Sequence, residues 1–303
     1  MKSVVWKSAL WLCLLAWPHW SWAGTPFATA TIVDGEMLLI RGASRLRLAE
    51  GVRLAKDDIV ETTDKGRLLR IEFGDGLILD LGPESRALLA PRLSGDRARL
   101  PARLHLLRGV AKLTVPKPLA AAEGTLSSPP FDVTGVARSA VFIVQAGDAF
   151  VFAESGEVML RERRGGKATG TITLKSNEFF ARSGDAKAAV AARPTPAFIQ
   201  RLPRAFLDTL PARAGLFTTR DIGPKPLGEI SFAEVEAWVD AEGLRSQFAT
   251  RWKALAQNRA FRDGVAANMR AHPEWDRILY PEKYLPKPAA APTSTPTSAP
   301  AAR

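Results

Sequence analysis

Hydrophobic and polar positions alternate with a period of two through much of residues 24–190, the spacing of half-buried strands. Leu69, Ile71 and Phe73 interleave with Arg70 and Glu72. After Gly74-Asp75-Gly76, Leu77, Leu79 and Leu81 repeat the pattern. Asp75-Gly76 supplies the positive φ angles of a tight hairpin. A second pair, 140–144 and 149–153 around Gly147-Asp148, is apolar on both faces, which places it at the centre of the fold. A third leaves Val158, turns at Gly165-Gly166 and returns through 171–174. These runs predict an all-β domain over 24–190.

The pattern changes after about residue 190. Pro194, Pro196, Pro203, Pro211, Pro224 and Pro226 mark an irregular connector over 191–230. Ser231 stands three residues before Glu234, the capping-box spacing that starts a helix. Phe232, Val235 and Trp238 follow on one helical face, and Phe248, Trp252 and Leu255 have helical spacing within 244–257. Asn258 can cap a further helix that runs to about Ala271 and stops before Pro273. A small helical module over 231–286 results, its aromatics expected in the core. Residues 287–303 contain only Pro, Ala, Thr, Ser, Lys and Arg, and are expected to be disordered. The fold class expected is therefore mainly β, a twisted antiparallel domain followed by a small α-helical module.

The N-terminus reads differently. Lys2 and Lys7 flank a short positive start, an apolar run over 8–17 follows, and Pro18 breaks it. Ser21-Trp22-Ala23 puts small residues at the two positions a signal peptidase reads, so residues 1–23 are expected to be a signal peptide cleaved after Ala23. The run is shorter than the roughly 20 residues a bilayer requires, and no later segment could span one. The mature chain is expected in the periplasm, with no integral membrane span.

Composition narrows the chemistry. Cys13 is the single cysteine and leaves with the signal peptide, which removes disulfides, thiol nucleophiles and thiolate metal sites. His105 and His272 remain, far apart in sequence, so a His-rich metal centre is excluded and any Ser-His-Asp triad depends on one of them. Glu154 with Glu157, or Asp75 with Asp80, could be imagined as an acid–base pair, although turn and surface carboxylates are far commoner. No motif assigns a catalytic residue, cofactor or metal ligand. The formal net charge is +11, spread along the chain, which favours anionic partners such as lipid headgroups or wall polymers. An exported chain without aromatic–basic stacking motifs is not expected to bind nucleic acid. The densest basic spot is the third hairpin's tip, where Arg161, Arg163, Arg164 and Lys167 are candidate partner contacts. The same run also reads as a solvated, charged tip that guards against edge pairing.

Five short motifs in order give the β segment a resemblance. Asp57-Asp58-Ile59-Val60-Glu61-Thr62 is followed by Ile71-Glu72-Phe73-Gly74-Asp75-Gly76 with Leu79-Asp80-Leu81-Gly82-Pro83-Glu84-Ser85. Then come Leu106-Leu107-Arg108-Gly109-Val110, Arg138-Ser139-Ala140-Val141-Phe142-Ile143-Val144 and Glu154-Ser155-Gly156-Glu157-Val158. Residues 30–185 thereby resemble the FecR family of periplasmic domains, as a divergent, stand-alone member. Asp57 and Ser139 stand where the family carries glycine, and Ser139 is expected to restrict the backbone more. The family is best known from regulators that pass a receptor signal to a sigma factor. Those carry a cytoplasmic segment and a transmembrane helix, neither of which is recognisable here. The resemblance thus implies a binding domain without sigma-factor control.

Two functional readings follow. One is a non-catalytic envelope protein whose β domain binds a protein or an anionic glycan or membrane partner, in sensing, scaffolding or signalling. The other is an envelope glycan-processing hydrolase with a scattered carboxylate site. A cleft holding two carboxylates roughly 5–9.5 Å apart would favour the second. An apolar groove or exposed strand edge would favour the first.

Overall fold

The period-two runs assemble into two antiparallel sheets that share one strand. The computed structural model describes residues 26–100, 102–116, 126–145, 147–220 and 222–285, so the signal-peptide and tail expectations lie outside the described residues. The first strands are β1 (Ala28–Asp34), β2 (Met37–Arg41), β3 (Ser44–Arg47), β4 (Arg53–Leu54), β5 (Ile59–Thr62), β6 (Leu68–Phe73), β7 (Ile78–Leu81) and β8 (Arg86–Leu89). The long strand β9 (Leu104–Thr114) precedes β10 (Leu126–Ser127), β11 (Phe131–Val136), β12 (Ser139–Gln145), β13 (Asp148–Ser155), β14 (Val158–Arg164), β15 (Lys167–Leu174), β16 (Phe179–Ser183) and β17 (Ala189–Ala191). A last strand, β18 (Lys225–Glu229), comes from the proline-rich region.

One sheet runs β4-β1-β6-β7-β9-β12-β13-β16-β17. The other runs β18-β3-β2-β5-β8-β9-β10-β11-β14-β15, antiparallel except for β10 beside β9. The three hairpins expected from sequence are β6–β7, β12–β13 and β14–β15. Strand β12 lies between β9 and β13 and is buried along both faces from Ser139 to Val144. β9 belongs to both sheets. Its residues 104–108 pair in the second and 109–114 in the first, with the change at Gly109, whose φ is 107°. The main core lies between the sheets and includes Leu39, Val60, Ile71, Leu79, Leu106, Leu113, Phe131, Phe142 and Leu160.

Both outer faces are partly covered. On the second sheet, Ile40, Ile59 and Leu88 pack under the C-terminal helices α2 (Phe232–Val239), α3 (Arg245–Arg251) and α4 (Arg259–Ala267), each labelled from here in chain order after a short helix at Pro196–Gln200, which is α1. A final short helix, α5, spans Asp276–Leu279. Trp238, Trp252 and Trp275 are fully buried in this layer. The capping box forms as expected, with Ser231 N donating to Glu234 Oε2 at 2.8 Å. The 244–257 segment divides into α3 and a 3-10 turn, and α4 ends at Ala267, short of Ala271.

The first sheet is covered by the connector. Phe198 and Phe206 pack on Val141, Ile143 and Phe179. This changes the reading of β6. Alternation alone puts Arg70 and Glu72 on a solvent face, yet every residue of β6 is buried. Arg70 forms two bonds to Asp80, at 2.7 and 2.8 Å, and donates to Leu210 O at 3.0 Å. Glu72 accepts from Thr31 Oγ1 and from the backbone N–H groups of Arg213 and Ala214. Ions buried with matched partners hold the connector backbone against the sheet. The connector also supplies β18, which pairs with β3.

Candidate binding cleft

Three of the five motifs meet at the bend in β9. Thr62 Oγ1 accepts from Ser85 N at 2.7 Å and donates to Gly82 O at 2.6 Å. Ser85 Oγ donates to Val110 O at 3.0 Å and accepts from Val110 N at 2.9 Å. Gly109 lies against Ser85 so closely that a Cβ there would overlap Ser85 backbone. Three motifs distant in sequence thus form one buried polar knot that sets the angle of β9. The two missing glycines behave differently. Asp57 keeps the left-handed backbone, with φ 68°, and its carboxylate accepts from Gln247 Nε2 at 2.9 Å and pairs with Arg92 at 3.2 Å. Ser139 pairs with Thr114 of β9, borders a register shift against β13 and donates to Glu154 at 2.5 Å; its φ is not positive, so its position does not require glycine's freedom.

Beside the bend lies a cleft of about 830 Å³. Its walls are β9 at Arg108 and Gly109, the β12–β13 turn, the tip of the β14–β15 hairpin, the loop after β16, and Ala237 and Glu242 of the helical layer. Glycines at 109, 147, 165, 166 and 184 leave much of this lining to bare backbone. Arg108 is exposed here; its guanidinium makes no hydrogen bond or close ion pair among the described residues, although its charge helps to hold down the Glu61 carboxyl. From sequence its motif, Leu106-Leu107-Arg108-Gly109-Val110, reads only as a fold signature.

The basic hairpin tip divides. Arg161, Arg164 and Lys167 are exposed. Arg163, expected as a surface contact, is corrected by the structure: it is 3% exposed and turned inward. A register shift between Glu162 and Arg163 changes the face that Arg163 occupies. There it binds Asp96 at 2.8 Å, Asp132 at 3.1 Å and the carbonyl of Gly166. The Asp96 carboxyl is held below its ordinary range by the bond from Arg163, whereas burial pushes Asp132 upward against Arg97 and Arg163. Arg164 and Arg182 both reach Glu162 at 3.0 Å, and Arg182 also donates to Arg163 O at 2.7 Å. Of the four predicted contacts, Arg163 and Arg164 line the cleft, only Arg164 with exposed charge; Lys167 pairs across the hairpin from Arg164, and Arg161 lies farther along β14 opposite Thr171.

The other candidates serve the fold. His105 is buried, with Nδ1 at 2.8 Å from Ser127 Oγ. Burial and then Arg97 push its pKa down to about 3, so it is neutral across physiological pH. His272 is buried with Nε2 at 3.1 Å from Asp240. Asp80 is paired with Arg70, Asp75 with Arg103 at 2.5 Å, and Glu154 with Lys112 at 2.8 Å. Among the described residues no group of three or more His, Cys, Asp or Glu could hold a metal ion, and no helix is long and apolar enough to cross a membrane.

No family model matches this chain, and no curated protein does. Similar solved structures include two crystal structures of a candidate anti-sigma factor from Parabacteroides distasonis, at 13% and 14% identity with TM-scores of 0.36 and 0.34. Each match covers 45% of this chain and 59% of that one.

Proposed function

We propose that this chain is an exported, non-catalytic envelope protein of FecR-like build that binds a partner through the cleft beside the β9 bend. The partner is an envelope protein or an anionic polymer, and the role is sensing, scaffolding or signalling. The observation that carries this reading is Arg108. It is a charge presented in an open cleft with no ion pair of its own among the described residues, on a strand whose bend is fixed by a buried polar knot. A guanidinium held that way suits a carboxylate or phosphate, which it can grip with two parallel bonds. Arg164 adds a second positive charge to the lining, where it pairs with Glu162, and the carboxylates of Glu84, Asp148, Asp185 and Glu242 line the cleft as well.

The test is retention of the purified chain on three fractions: wall sacculi, vesicles containing anionic lipid, and immobilised envelope proteins. Binding to one of them should weaken as salt rises and as Arg108 and Arg164 are changed to Glu. Retention that ignores both would remove the cleft from the account. Turnover of a wall glycan, abolished by changing one carboxylate, would overturn the non-catalytic reading.

A further inference from the structure

We infer that the free edge of β15 is a strand-addition surface for an extended, acid-flanked segment of a partner protein. It is a second surface, separate from the cleft and independent of it. β15 is hydrogen-bonded to β14 and to no other strand among the described residues. The register shift near the hairpin tip ends the regular ladder, leaving Gly170 to Leu174 as a straight run with one side unpaired. Alternate N–H and C=O groups along such an edge are met most completely by another extended backbone.

The other edges are closed to this. β18 carries Pro226 and its own register shift, and β4 and β17 are two and three residues long. β15 has no proline and is eight residues long.

Its side chains define the partner. Toward the core, Leu174 is buried but Ile172 is only partly covered, although it packs on the inter-sheet cluster. An apolar residue on an added strand would close the core over Ile172. Toward solvent, Thr171 and Thr173 stand beside Arg161 and Met159, and Met159 is 46% exposed. At the ends, Lys167 and Lys175 are exposed and form no ion pair among the described residues. They suit carboxylates at both ends of the incoming segment. They also disfavour a second copy of this chain, because an antiparallel β15 pair centred on Thr171 would set Lys167 opposite Lys175.

The test uses the full mature chain and a fluorescent nonapeptide, Glu-Val-Thr-Val-Thr-Val-Thr-Val-Glu, long enough to set its end carboxylates against Lys167 and Lys175. Binding is followed by anisotropy and mapped by hydrogen exchange. The expected result is binding with slowed exchange confined to residues 167–175. A peptide with proline at its centre should bind about tenfold more weakly, the loss of one or two backbone bonds. A peptide with lysine at both ends should bind weakly to the native chain and better to the double variant Lys167→Glu, Lys175→Glu. These are exposed positions, so that variant should fold. No binding, protection elsewhere, indifference to proline, or no reversal by the double variant would overturn the inference. So would a concentration-dependent dimer protected at the same edge, which would make a second copy the occupant.

Discussion

The indole Nε1 of Trp238 donates to Glu61 Oε1 at 2.8 Å, joining α2 to the middle of β5. Both groups are buried, and burial raises the Glu61 carboxyl above its ordinary range against the opposing pull of Arg86 and of the indole bond. Trp252 Nε1 makes a parallel attachment to Gly42 O at 3.0 Å, and Arg251 reaches the carbonyls of Asp57 and Ile40. The helices therefore share a core with the second sheet. We expect Trp238→Ala to cost about 3–5 kcal/mol, and Trp238→Phe about 1–3 kcal/mol because Glu61 loses its donor. Circular dichroism and tryptophan fluorescence should report one unfolding transition. Two separated transitions would show that the helices and sheets unfold independently.

Gly109→Ala should cost at least about 3 kcal/mol, since the new methyl meets Ser85 backbone and the φ is unfavourable for an L-residue. Ser85→Ala should cost about 1–3 kcal/mol by leaving Val110 N without its acceptor. Chemical denaturation of both variants checks the knot. Equal, small effects would mean the bend in β9 is held by something else.

At Asp57 the expected ranking is the informative quantity. Glycine removes the left-handed strain but loses the bonds to Gln247 and Arg92, whereas alanine loses the bonds and keeps the strain. Asp57→Ala should thus be the less stable by about 1 kcal/mol. Identical denaturation midpoints would refute this account of the missing glycine.

Acid should destabilise the protein partly through His105. Its folded pKa is depressed to about 3 from 6.5, so the unfolded chain takes up the proton first. The stability contributed by a neutral His105 is fully present above pH 6.5 and is lost as pH falls from there toward 3. Urea midpoints across that window should fall less steeply for His105→Leu than for the native chain. Parallel curves would exclude His105 as a source of acid lability.

Much of the sheet was legible because alternation and Gly-Asp turns are local. β6–β7, β12–β13 and β14–β15 follow from a few residues each. What was not legible depends on long-range cover. The burial of Arg70 and Glu72 comes from Leu210, Arg213 and Ala214, some 140 positions later, and no periodicity reports that. Arg163 was assigned to the surface because the register shift that turns it inward leaves no compositional mark. β18 was hidden by Pro226, which an edge strand tolerates and a pattern search rejects. Of the cleft, only the hairpin tip was visible; Arg108 and the loop after β16 join it through the sheet crossover at Gly109.

Site-specific photo-crosslinking in intact cells tests the binding cleft most directly. A photoreactive residue would replace Gln145, an exposed residue lining the cleft, with a control at Leu207, which is 62% exposed on the connector. The account predicts a heavier, discrete species from position 145, absent from the control and lost when Arg108→Glu and Arg164→Glu are added. Identical labelling from both positions, or none from position 145 in a folded protein, would contradict it.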